Sequence, residues 1–144
     1  MRLIDKDPNR VGAWTMPRCS GEWFPGRGVA IGLEASRGNL VAGCVFEQYN
    51  GTNMFIHGAS RPHSLSEEFL HVCFHFCFVE NHCRRISCVV DESNTTCQRF
   101  VQRVGWSEDV RLKGAGLKGG DLIIYKMLPQ DCKWLTEEEK NGLI

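Results

Sequence analysis

The sequence predicts one α/β domain built on a mixed sheet, in which an antiparallel meander leads into a parallel pair, with helices on both faces. Two observations carry the meander: the runs Val29-Ala30-Ile31-Gly32-Leu33-Glu34 and Leu40-Val41-Ala42-Gly43-Cys44-Val45-Phe46-Glu47 flank a turn at Arg37-Gly38-Asn39, and Asn50-Gly51 marks a second turn before Asn53-Met54-Phe55-Ile56-His57-Gly58-Ala59. The third is a long apolar helix, from about Ser64 to His82, followed by a strand from Arg84 to Asp91. A helical crossover between two strands implies that they pair in parallel.

The elements follow in order. Asp7 caps a short helix from Pro8 to about Cys19, with Pro8 in the first turn, Val11, Trp14 and Met16 facing inward, and Pro17 keeping it short. Ser20 to Gly28 is rich in Gly and Pro and reads as a loop carrying Trp23 and Phe24. In the long helix Ser64 and Glu67 form a capping-box pattern, and at about 100° per residue its Leu, Val, Phe and Cys side chains cover most of the circumference, so it is expected to be buried against the sheet. Arg85-Ile86-Ser87-Cys88-Val89-Val90 is a β-branched run bounded by charges, and it ends at Asp91-Glu92-Ser93-Asn94, whose short polar side chains favour turns and helix caps. From Thr95 the apolar positions Cys97, Phe100, Val101 and Val104 make one face of a short helix, Gly105 stops it, and Trp106 opens the next strand. Glu108 to Leu112, a glycine-rich hairpin through Gly114, Gly116, Gly119 and Gly120, and a last strand from Asp121 to Leu128 complete a core of about 27–128, with 129–144 as a tail.

Composition narrows the function. At 144 residues the chain makes a single domain, 1–144. Lys+Arg and Asp+Glu balance at 17 each with no segment of one sign, which disfavours a nucleic-acid partner. No apolar stretch approaches the ~20 residues of a membrane helix, and Met1-Arg2-Leu3-Ile4-Asp5-Lys6-Asp7 is too charged for a signal peptide. A cytoplasmic protein without a membrane partner is expected. Eight cysteines are present, and Cys44, Cys73, Cys77, Cys88 and Cys97 sit inside apolar runs, as reduced core thiols should. His71, His75 and His82 form a polar stripe on the long helix, while Cys73 and Cys77 point about 200° away, so no metal site is expected.

The run Asn94-x-x-Cys97 with Gly105-Trp106 resembles the Gcn5-related N-acetyltransferase (GNAT) family, whose pattern is Asn, two residues, a small residue, then a helix closing on Gly-aromatic. The last strand, from Asp121 through a hydrophobic stretch to Tyr125 and an apolar pair, is similar to the Rim-type branch, and the likeness spans roughly 27–135. The compact N-terminus and Rim-like C-terminal half resemble small acetyltransferase domains encoded by tailed phages, which would place the protein in a host cytoplasm. The resemblance implies acetyl-CoA as cosubstrate and direct attack by a primary amine, of a small molecule or a protein, in a monomer or homodimer. Two alternatives stand beside it: a catalytically silent GNAT-fold binding protein, and a GNAT-fold enzyme of other transfer chemistry such as nucleobase modification.

Where parallel strands separate, their C-terminal ends leave a ligand crevice, here between His57-Gly58-Ala59 and Val90-Asp91, and free amides at a following helix N-terminus can bind phosphate. The resemblance gives Gly58 and Ala59 the cofactor carbonyl, Arg61, Ser64, Leu65 and Ser66 the pyrophosphate, and Asn94 the pantetheine arm, with Cys97 and Phe100 beside it. The loop departs from the family pattern, since only Arg61 matches its Arg or Gln and Pro62-His63 stand where glycines would help. His57 is the expected general base, because imidazole accepts a proton near neutral pH and this strand end lies close to an incoming amine. Glu47 and Tyr49 are the alternative base and substrate-orienting group. Many GNAT enzymes place a Tyr acid one turn before the helix-ending Gly; here Val101 stands there, leaving Tyr125 as a candidate.

Overall fold

Seven strands form one sheet in the computed structural model, which describes residues 3–143 apart from the side chain of Arg37. They are β1 (Leu3–Asp5), β2 (Gly28–Glu34), β3 (Leu40–Glu47), β4 (Asn53–Ser60), β5 (Arg85–Asp91), β6 (Ser107–Leu112) and β7 (Leu122–Met127). Across the sheet the order is β1-β2-β3-β4-β5-β7-β6, antiparallel except between β4 and β5. The expected meander and parallel pair are present. β1 is an addition, too short at three residues to show a period in the sequence.

The helices begin where side chains can satisfy their first amides. Asp7 Oδ1 accepts from Asn9 N and Arg10 N to start α1 (Pro8–Thr15), which tightens into a 3₁₀ turn at Met16–Cys19 around Pro17. α2 (Glu67–His75) starts later than the expected Ser64. Ser66 has the extended backbone that turns its hydroxyl toward Phe69 N, at 3.1 Å, whereas Ser64 Oγ donates to Pro62 O. A π turn at Phe76–Glu80 continues α2, with Asn81 Nδ2 donating to Phe76 O at 2.7 Å, so the helical segment ends at Glu80 and not at His82. α3 (Thr95–Val104) has the expected Asn94 cap and Gly105 stop, the latter at φ +125°. In the tail, Thr136 and Glu139 form a capping box for α4 (Glu137–Asn141).

The two sheet faces are packed differently. On one, Val11 and Met16 from α1 and its 3₁₀ turn meet Ala30, Leu40 and Val45. Gly43 makes this close approach possible, since a Cβ there would lie 2.0 Å from Thr15 Oγ1. On the other face α2, its π turn and α3 bury Phe69, Phe74, Phe78, Val101 and Val104 against Phe46, Ile56, Ile86, Val90, Ile123 and Tyr125. Each such side chain removed from water contributes roughly 1.5–3 kcal/mol. All eight cysteines are free, and five are buried. Among the described residues no helix is long and apolar enough to cross a membrane.

Candidate active site

β4 and β5 pair at only three positions, Asn53 with Arg85, Met54 with Ile86 and Phe55 with Ser87. Beyond these, β4 remains on β3 as far as Ser60, and β5 remains on β7 as far as Asp91. Each strand keeps its outer partner while the inner pairing lapses, so a crevice opens from Ile56 and Cys88 onward. Polar side chains tie the closed end: Ser87 Oγ donates to Asn53 Oδ1 at 2.8 Å, Arg85 Nε donates to Ser87 Oγ at 3.0 Å, and Arg85 pairs with Asp109 at 2.8 Å.

His57 lies opposite Val45 on β3, and Glu47 opposite Phe55 on β4, which sets His57 and Glu47 diagonally on one sheet face. His57 Nε2 and Glu47 Oε1 are 2.8 Å apart, the two side chains being 29% and 25% exposed. The two candidate bases are therefore one dyad. Burial pushes the imidazole below its ordinary 6.5, outweighing the upward pull of the Glu47 charge and hydrogen bond. The ring is thus neutral at pH 7. To bond a carboxylate Nε2 must carry the hydrogen, which leaves the lone pair on Nδ1. Tyr49 is not part of this group: it lies past the end of β3, at the closed end of the parallel pair, and its hydroxyl donates to Asn81 O at 2.7 Å.

At the open end, Arg61 N donates to Val41 O at 2.8 Å, which carries the β4 ladder one step further. His63 holds φ +57°, a left-handed position suited to glycine, as the departure from the family loop foreshadowed. Ser64 is buried, and Leu65 packs on the larger core, so only its backbone is left for a ligand. Ser66 caps Phe69 N, and the preceding amides of Glu67 and Glu68 have no acceptor within the helix. The same turn carries the Glu67 and Glu68 carboxylates, which suit the helix dipole and would repel a phosphate.

Across the crevice, Asn94 Oδ1 accepts from Cys97 N at 3.0 Å, so the residue caps α3 and has its Nδ2 group left for a ligand. Cys97 and Phe100 are partly buried against the core, and Val101 is buried. Tyr125 is fully buried, its hydroxyl accepting from Gln102 Nε2 at 3.4 Å. Asn94→Ala should cost about 1–2 kcal/mol in urea denaturation through the lost cap and weaken CoA binding in titration. Unchanged CoA affinity would confine Asn94 to the helix.

Two features escaped sequence reasoning. Cys19 Sγ, 39 residues from Gly58 in sequence, donates to its carbonyl oxygen at 3.2 Å. Burial, with Cys44 and Cys97 adding to it, pushes this thiol up to about 12, so it stays protonated and is no nucleophile. Glu139 also lies 3.1 Å from His71 and 3.6 Å from His75, supplying the carboxylate that the sequence did not show near that stripe. No group of three or more His, Cys, Asp or Glu among the described residues has the arrangement of a metal site. A groove of about 570 Å³ runs along α3 between Thr96, Arg99, Gln102 and Arg103, none of which belongs to the dyad.

No protein-family model matches the chain, and a search of curated proteins finds no match. Solved structures do share its architecture. It is similar to an acetyltransferase of the GNAT family from Bacillus anthracis, with a TM-score of 0.57 and 19% identity over 69% of this chain and 65% of that one. It is similar to the spermidine/spermine N-acetyltransferase of Vibrio cholerae, with a TM-score of 0.67 and 10% identity over 89% of this chain and 95% of the other. The ribosomal-protein-S5-alanine acetyltransferase of Vibrio fischeri gives a TM-score of 0.57 and 9% identity over 76% of this chain and 64% of its own. At these identities the likeness is one of fold: the chain has the fold of the Gcn5-related N-acetyltransferases.

Proposed function

We propose that the protein is an N-acyltransferase that moves an acetyl group from acetyl-CoA to a primary amine by direct attack on the thioester. The observation that carries this is the placement of the His57–Glu47 dyad at the lip of a crevice left by two separating parallel strands. The structural neighbours named for amine acceptors, spermidine and a ribosomal-protein alanine, support the acceptor class. Acetyl-CoA would be held by the backbone of Gly58 and Ala59, by the loop from Arg61 to Ser66 with the first amides of α2, and by Asn94. Bound there, it supplies an activated acyl group. An amine is a nucleophile only without its extra proton, and Nδ1 of a neutral His57 is the group that takes it. Glu47 fixes the imidazole tautomer, because the nitrogen that meets a carboxylate must carry the hydrogen. With Val101 at the family's usual tyrosine position, the leaving thiolate, of pKa near 8.5, is protonated by solvent.

A second reading, a fold that keeps its shape without the chemistry, draws on the Glu67 and Glu68 carboxylates in the first turn of α2, beside the loop proposed for the pyrophosphate. Acetyl-CoA separates the two. A ligand at 100 times its Kd adds about 2.7 kcal/mol of stability, which for a domain of this size raises Tm by roughly 5–10 °C. A transition that millimolar acetyl-CoA leaves unmoved would reject the acyltransferase and favour the silent fold.

A further inference from the structure

The groups assigned to the acyl donor and the base stand on opposite faces of the sheet. Leu65 of the loop before α2 and Cys97 beyond Asn94 pack on the larger core, whereas His57 lies on the α1 face with Val45. An acyl group held from the first side therefore meets the base only by passing through the gap between β4 and β5. That gap begins beyond Phe55 and Ser87, the last parallel pair.

Gly58 borders the gap with its backbone. Arg61 N bonds Val41 O in the register that sets Ala59 opposite Gly43 and His57 opposite Val45, and hydrogen-bonded pairs alternate with non-hydrogen-bonded ones along an antiparallel ladder. Gly58, between two bonded positions, turns its N–H and C=O away from β3 and into the gap. Cys19 Sγ reaches that carbonyl oxygen at 3.2 Å, so the thiol stands over the gap itself. It comes from the α1 side, on the 3₁₀ turn Met16–Cys19, whose Met16 packs with Val11 and Val45. The close approach of Thr15 to Gly43 fixes the start of that turn on the sheet. On the α2 face the same glycine leaves room: a Cβ there would meet Cys44 Sγ at 3.6 Å and Gly43 O at 3.8 Å, both ordinary contacts.

Resting on the acyl-transfer reading, we propose that Cys19 determines the length of the acyl group, its thiol closing the α1 end of the gap so that acetyl fits and a longer chain does not. Partly buried and bonded to Gly58, the thiol has little freedom to step aside. Since one methylene too many in an apolar pocket costs about 10–200-fold, isothermal titration should show butyryl-CoA binding about tenfold or more weakly than acetyl-CoA. Free CoA, which has no acyl group, is the reference. Cys19→Ala should bring the two thioesters to similar affinity and leave that for free CoA unchanged, a split that a merely structural role would not produce. Cys19→Ser, which keeps the size and the donor, should preserve the difference, and the bulkier Cys19→Val should weaken acetyl-CoA relative to free CoA. Equal affinities for the two thioesters in the unsubstituted protein, or a difference that survives Cys19→Ala, would overturn the proposal while CoA binding leaves the acyl-transfer reading standing. If none of the three ligands binds, that reading is rejected and the proposal falls with it.

Discussion

His57→Gln should lower turnover with a primary amine by 10²–10⁴-fold, the usual contribution of a positioned general base, while acetyl-CoA affinity stays within about twofold. Gln can still bond Glu47 but cannot accept a proton. The pH profile gives a second reading of the same group. Because burial pushes the imidazole below 6.5, kcat should rise with pH through an ionisation under that value and level off above it. An imidazole in water would put this ionisation near 6.5, and the burial of the ring moves it down. Glu47 raises the imidazole pKa by its charge and hydrogen bond, so Glu47→Gln should shift the inflection to still lower pH and reduce the plateau by loss of the tautomer lock. Full turnover in His57→Gln would make the histidine structural. An inflection unmoved by Glu47→Gln would remove the carboxylate from the dyad.

How much of this was legible depended on whether the determinant was local. β3 spans Leu40–Glu47 and α3 ends at Gly105 as expected, because β-branched runs, an Asn cap and a left-handed glycine act within one turn of chain. The start of α2 was misplaced because Ser64 and Ser66 are equally competent caps by type; only the backbone at Ser66 decides between them. The π turn after α2 has no residue signature to read. The dyad needed more than strands. Glu47 and His57 each drew attention separately, yet their contact depends on the β3–β4 register, which follows from the length of the turn around Asn50-Gly51. Cys19 is the extreme case, reaching Gly58 only because Gly43 lets α1 and its 3₁₀ turn sit down on the sheet.

Phe78→Ala should cost about 3–5 kcal/mol of folding free energy, the range for emptying a buried aromatic site. Phe78 is fully buried in the larger core and belongs to the π turn Phe76–Glu80. A π turn holds an extra residue, which here lets Cys77 and Phe78 both be buried before the chain leaves for β5. Such a loss is a large fraction of the 5–15 kcal/mol typical of a domain. It should appear in urea denaturation as a lower midpoint with an unchanged slope. Phe24→Ala, at an exposed ring beneath Arg27, should stay within about 0.5 kcal/mol. A cost below 1 kcal/mol for Phe78→Ala would mean that the π turn does not pack into the core. The variant also separates the two halves of the site. Its cavity lies on the α2 face with Phe46 and Ile56, whereas His57 and Glu47 lie on the α1 face with Val45. Loosening α2 should therefore weaken acetyl-CoA binding through the loop at its N-terminus and leave the pH inflection of His57 where it was.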